Sequence, residues 1–460
     1  MTEMETLNGP KPSFSTVNEW LRGLNGDDIP PQVMTTAKLL VLDLLGVLAA
    51  AHKLDAGRIA RDHAVRHWAA GADAPHARLA FDARAASLPG AAFAMATQLD
   101  NLDAHDGWQP SKGHAGAALL PALMALAEDA EELPGREALV LMIAGYEISY
   151  RAAAALHATV PDYHTSGAWN ALGCVAMGAR LRGVSNGVFR HALGIAEYHA
   201  PRSQMMREIA NPTMLHDGTG FGAPVGLYAL LVAEDGFTGA PAATFEFDDA
   251  AEHWSDLGQN WLTCQQYVKP YPICRWAHAP IDAALGLRVA HNIDPQDIVS
   301  IEVHTFKYSA DLSASVPDTS PKAQYSLAWP VACAFARGGV GVDEVMPETF
   351  GDPELIRLTN LVTPYVDAAL EADYPARRQA SVRVILRDGR CFDSGVVEAS
   401  GGPDPQPTEA EIVTKFRRFA GSVLGADQVA ELEKMVMELD SFGADFKALV
   451  DLVCHMKVDA

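Results

Sequence analysis

Apolar residues recur at three- and four-residue spacing through most of the first 266 positions, a pattern that predicts successive helices. It places them over Val33–Ala51, Leu88–Leu99, Ala115–Ala127, Arg136–Thr159, Ala168–Leu181 and Gly222–Glu234, each with Gly or Pro near an end. Their high Ala and Gly content predicts close interhelical packing, because small side chains let helix axes approach. Between about 270 and 400 the periodicity changes. Residues 297–306 alternate as a strand does, and residues 380–398 read as a hairpin with Asp388-Gly389 at its turn. Helical segments at Ile281–Val289 and Ser326–Arg337 lie among the strands, which predicts a smaller α+β domain. After the Gly/Pro-rich stretch 401–407 the chain returns to amphipathic helices, the first opened by a Thr408-Glu-Ala-Glu411 capping box. The fold class is therefore mainly α.

Composition narrows the function. Thirty-five Lys and Arg stand against 58 Asp and Glu, and a net charge of −23 argues against nucleic acid or an anionic membrane as partner. The longest early apolar run, Leu39–Ala51, is interrupted by Asp43 and is short for a membrane span. The six cysteines form no C-x-x-C pair, and the amino terminus is acidic and polar, which is read as a cytoplasmic protein with reduced core cysteines and no targeting signal. No histidine spacing suggests a metal site, and no G-x-S-x-G elbow suggests a serine hydrolase.

Chemistry is densest in residues 98–116, where Asp100, Asp103, His105, Asp106, Lys112 and His114 sit in a Gly/Pro-punctuated loop between two small-residue helices. An aspartate at a helix end also caps, so Asp100 carries two readings from spacing alone. His114 precedes a helix whose dipole would favour a neutral, proton-accepting ring, and His164 stands before a helix in the same way. Arg151 lies on an otherwise apolar helix, which suggests that it emerges in a cleft to clamp a carboxylate. The Pro-stiffened segment 268–275 presents Lys269 and Arg275, while His216 and Asp217 precede a glycine-rich turn.

The loop also resembles a known family. Leu99-Asp-x-x-Asp103, followed by Gly113-His and an Ala/Leu-rich helix, is similar to the MmgE/PrpD proteins. Gly145-Tyr-Glu-Ile-Ser-Tyr-Arg151, His164-Thr-Ser-Gly167, Leu215-His-Asp-Gly218, Gly236-Phe-Thr-Gly239, Val268–Arg275, Ala323-Gln-Tyr-Ser-Leu327 and Arg378–Val384 follow in order. The resemblance implies a helical domain of residues 1–268 and 402–460, with an α+β lid of residues 269–401 inserted before the C-terminal helices. It implies a cofactor-independent homodimer that moves a proton next to a carboxylate on a small di- or tricarboxylate. Asp100, His114, His164 and Tyr146 are then the expected catalytic groups, and Arg151, Lys269, Arg275 and His216 the expected substrate-binding ones, with His105 and Asp106 behind them. A 2-methylcitrate dehydratase-like lyase is the first reading. An iminodisuccinate epimerase-like isomerase, a cis-aconitate-type decarboxylase and a non-catalytic binding protein are the alternatives. Thr213, Ala104 and Trp329 depart from the family pattern, respectively at a usual lysine, a usual threonine and an expected active-site tyrosine.

Overall fold

The computed structural model describes residues 9–458, so the first residues of the acidic terminus, read above as lacking a targeting signal, lie outside the described residues. The protein is mainly α. The helices predicted from periodicity form as Pro31–Ala50, Leu88–Asp100, Gly116–Asp129, Gly135–Thr159, Gly167–Leu181 and Thr219–Glu234. Pro12–Gly23, Asp55–His67 and Asn186–His199 add helices that the pattern did not announce. Gly135–Thr159 packs on Gly167–Leu181, and Thr219–Glu234 packs on both Gly167–Leu181 and Leu88–Asp100. These contacts bring three helix N-termini, at Gly116, Gly167 and Thr219, around one region.

Two helices, Pro31–Lys53 and Gly135–Thr159, are long and apolar enough to cross a membrane by length and composition. Most of each is buried inside the protein, the ordinary condition of a core helix. The early apolar segment thus runs longer than the interruption at Asp43 suggested. Asp43 is itself buried, and its charge is met by Lys415 Nζ at 2.7 Å.

In the α+β part, the strand Ile298–Thr305 pairs in parallel with Val362–Val366 and antiparallel with Gln379–Leu386. Gln379–Leu386 continues antiparallel to Cys391–Asp393 and Val397–Glu398, with Gly389 at the tight turn adopting φ +88°, a conformation that suits glycine. The helices His278–His291 and Ala328–Arg337 pack against each other, and the first lies on the sheet. Thr408 caps Glu409–Ala420 through the reciprocal Glu411 contact, and that helix packs along Pro31–Ala50. A two-residue ladder, Asp106–Gly107 with Tyr267–Val268, ties the acidic loop to the segment entering the α+β part. All six cysteines are free; Cys391 is exposed, which corrects the reading of every cysteine as a core residue.

Candidate active site

The residues flanking those helix N-termini surround a narrow cavity of about 50 Å3. His114, Asp217, Asp103 and Lys269 line its polar side, with Tyr267 and Tyr325 among its aromatic walls. His114 is fixed from three directions. Its backbone N–H donates to Ser166 Oγ at 3.0 Å, its carbonyl accepts from Asn170 Nδ2 at 3.3 Å, and its Nδ1 contacts the carbonyl oxygen of Asp106. A carbonyl only accepts, so Nδ1 carries the proton and Nε2 keeps its lone pair. Nε2 lies 3.7 Å from Asp217 Oδ2. Ser166 joins the two groups, since its hydroxyl also donates to Asp217 Oδ1 at 3.1 Å.

Burial, reinforced by the Lys269 charge and the neighbouring His105, holds His114 well below the usual histidine range and so keeps the ring neutral. Burial and the nearby Asp100 and Asp103 carboxylates push Asp217 in the opposite direction, well above the usual range, which favours its protonated form. The same cavity therefore holds a proton acceptor and a proton donor side by side. Two titratable groups with environments that drive them apart are a recognised mark of acid/base assignment.

Lys269 Nζ contacts Asp103 Oδ1 and donates to the Asp103 carbonyl at 3.2 Å. Burial alone would lower its pKa, but the attraction of Asp103 outweighs that and the ammonium is held charged. Asp103, His114 and Asp217 bring one ligand atom each to within 4.8 Å of the others, a spacing able to hold a cation. The Lys269 ammonium already supplies positive charge at Asp103. Backbone strain concentrates here as well: Asp103, Lys112 and His216 adopt φ of +54°, +56° and +45°, sparsely populated values for residues with a Cβ.

Behind the cavity, Tyr146 is fully buried, and its hydroxyl donates to Asp106 Oδ2 at 2.6 Å. Asp106 Oδ1 accepts from the Gly116 N–H at 3.2 Å. A Cβ at Gly116 would collide with the Asp106 carboxylate and the Tyr146 hydroxyl, so glycine is required there. Tyr146, expected as a proton donor at the substrate, instead holds the residue whose carbonyl fixes the His114 tautomer.

Asp100 and His216 lie on the wall of a neighbouring cavity of about 510 Å3. Asp100 Oδ2 accepts from the Thr219 N–H at 3.3 Å, so it caps a helix, and Oδ1 sits 3.3 Å from His105 Nε2. Burial and then the Asp103 charge push its pKa up to about 8, while burial and then the Lys269 charge push His105 down to about 4. His216 is pushed down to about 3 by burial, and its ring packs 5.6 Å from Tyr325.

Other expected residues stand elsewhere. Arg151 lies 3.1 Å from Asp256 and 3.5 Å from Glu147, and donates to the Asn260 carbonyl at 2.8 Å, so its charge is already met and it is not a cavity clamp. His164 is buried 6.3 Å from the His157 ring, its backbone bridged to Gln204, and does not line the cavity. Arg275 does line it. Thr213 bonds through its hydroxyl to Glu208 at 2.8 Å and faces the neighbouring cavity. The Ala104 carbonyl accepts from Lys415 Nζ at 2.6 Å, a tether independent of any side chain at that position. Trp329 is buried within the α+β part, donating to the Glu344 carbonyl at 2.7 Å, while Tyr325, four residues earlier, is one of the tyrosines that line the cavity. Arg378 and Tyr267 also line the cavity without having been singled out as site residues; the signal for Arg378 was its place at the head of the Arg378–Val384 motif.

Comparison with known proteins bears on this geometry. The chain is 24% identical to a cis-aconitate decarboxylase of Aspergillus terreus over 96% of both chains. It is 26% identical to the human cis-aconitate decarboxylase over 76% of each chain, and 24% identical to the mouse protein of that name over 76% of this chain and 75% of the relative. The MmgE/PrpD N-terminal domain model matches residues 15–259 and the MmgE/PrpD C-terminal domain model matches residues 271–441. Matched in order by both domain models over most of its length, the chain belongs to the MmgE/PrpD family.

Proposed function

We propose that the protein is a lyase that removes a proton from carbon next to a carboxylate in a small hydroxy-di- or tricarboxylate, a dehydration of the 2-methylcitrate type. The observation that carries this reading is His114 Nε2 lying 3.7 Å from Asp217 Oδ2 in one cavity, where burial drives the proton affinities of the two groups in opposite directions. His114 Nε2 takes the proton as the C–H bond breaks. Charge develops on the adjacent carboxylate as an enediolate, which the charged Lys269 ammonium neutralises. The C=C bond then forms, the C–O bond breaks, and the Asp217 carboxyl gives its proton to the departing hydroxyl, which leaves as water. The resulting imidazolium and carboxylate face each other across the same short gap, so the proton returns from His114 to Asp217 and the site resets.

Acid and base on one wall suit elimination on one face of the substrate. Epimerisation by two bases needs groups on opposite faces, and the second expected histidine, His164, stands outside the cavity. A decarboxylation is the second reading, favoured by the end-to-end likeness to cis-aconitate decarboxylases; there the same acid delivers a proton to the carbon that loses carbon dioxide. The α+β part acts as a lid, opening the small cavity for entry and excluding water when closed.

The test is to incubate the protein with 2-methylcitrate, citrate, cis-aconitate and iminodisuccinate separately and follow each by NMR. An olefinic product that keeps every carbon, with the hydroxyl-bearing carbon shifted into the alkene range, supports dehydration, and loss of a carboxylate carbon supports the second reading. Inversion without loss of a group contradicts both.

A further inference from the structure

Arg275 and Arg378 are each only 7% exposed, and both guanidinium groups lie over the Tyr267 ring, at 4.8 and 5.9 Å from its centroid. Neither has a carboxylate oxygen within ion-pair distance among the described residues. Arg275 spends its donors on the Ala399 and Ser400 carbonyls, and Arg378 Nη1 donates to Gln109 Oε1 at 2.7 Å. The Nε of each is buried without a partner. The nearby acids are engaged: Asp282 with Tyr271 at 2.6 Å and Ser400 at 2.8 Å, and Glu398 with Arg377 at 2.7 Å. Two adjacent buried cations without a counter-charge are costly, and the cost is removed when an anion binds.

Their position says which part of a ligand that anion is. Arg275, Arg378 and Tyr267 form a wall shared by the reaction cavity and a larger cavity of about 620 Å3. The reaction cavity, about 50 Å3, is much the smaller of the two. A substrate with its reacting carbon at His114 reaches the larger one past that wall.

We infer that Arg275, Arg378 and Tyr267 form a carboxylate subsite, which binds the carboxylate remote from the reacting carbon and selects tricarboxylates over dicarboxylates. Gln109 orients the Arg378 fork for this, its amide donating to the Ala376 carbonyl at 2.7 Å while its oxygen receives the guanidinium. A guanidinium gripping a carboxylate through two parallel N–H donors supplies both charge and geometry, which a point-charge ammonium does not.

This subsite rests on the polycarboxylate reading above, and its test separates the two. Isothermal titration with tricarballylate, an unreactive saturated tricarboxylate, and with glutarate, a dicarboxylate of similar length, is expected to show tighter binding of tricarballylate by the intact protein. Arg378→Gln should weaken tricarballylate at least tenfold and glutarate less than threefold. Arg378→Lys, which keeps the charge and loses the fork, should fall between, and it decides the matter if the glutamine variant does not fold. Equal effects on both ligands, or tricarballylate affinity unchanged in the lysine variant, overturn the subsite alone. Failure of the intact protein to bind either ligand overturns the polycarboxylate reading, and the subsite with it.

Discussion

Two buried charge clusters lie along this fold, and they differ in what is left over. In one, Arg151 on the helix Gly135–Thr159 meets Glu147 and Asp256, and Glu147 in turn accepts from the Thr263 backbone at 2.9 Å and hydroxyl at 2.8 Å. In the other, Lys269 meets Asp103, but His114 Nε2 and the Asp217 carboxyl remain beside open space. Both contain a cation, carboxylates and helix-end backbone. Only the second combines a cavity with groups whose proton affinities are driven in opposite directions. Burial of charge is therefore a poor guide to function on its own; a titratable group with unspent bonding capacity facing space is the better one.

The largest expected effects test whether both ion pairs hold the fold. Lys269→Met should destabilise the protein by about 3–5 kcal/mol, because Asp103 is left buried without its partner, with Asp103→Asn in the same chain recovering part of the loss. Denaturant titration measures this, and additive losses would contradict the pairing. Arg151→Met should cost about 3 kcal/mol for the same reason at Glu147, yet leave kcat/KM of the folded protein within a few-fold. A hundredfold fall in kcat/KM with intact folding would return Arg151 to the site and erase the contrast between the clusters.

Catalytic variants sharpen the contrast from the other side. His114→Gln and Asp217→Asn should each lower kcat by about a hundredfold or more, the usual size of a general acid or base contribution, while thermal stability changes little beside the Lys269 variant. The pH profile follows from the two shifts. His114, held below 6.5, stays neutral as pH falls through that value, so kcat/KM should not drop there. Asp217, held above its usual value, loses its proton only as pH rises, so activity should fall on the alkaline side. Asp217→Asn should abolish that alkaline limb, and a limb that persists would assign it to another group. The smallest effect is expected at a distance from both clusters: Thr408→Ala should cost about 1 kcal/mol through loss of the cap, with kinetics unchanged.

The sequence pattern made the helices legible because each carries its own apolar periodicity, and the boundaries at Gly135–Thr159 and Gly167–Leu181 fall within a residue of expectation. The Thr408–Glu411 cap and the Asp388-Gly389 turn were legible for the same local reason. The site was legible only as a neighbourhood. Whether Arg151 points into a cleft depends on Asp256 and Asn260, more than a hundred residues away, and no local pattern reveals that pairing. The Asp106–Gly107 ladder with Tyr267–Val268 is two residues long, too short to leave a periodicity, yet it brings Lys269 to Asp103. Trp329 was expected where the family has an active-site tyrosine; it does not line the cavity, and Tyr325, in the short connection before its helix, does.

The most direct measurement follows solvent deuterium into the carbon next to a carboxylate, by NMR in deuterium oxide, for the unaltered protein, Arg151→Met and His114→Gln with the substrate identified in the panel above. The account predicts incorporation by the unaltered protein and by Arg151→Met at comparable rates, and almost none by His114→Gln. Incorporation that survives in His114→Gln and disappears in Arg151→Met would contradict it.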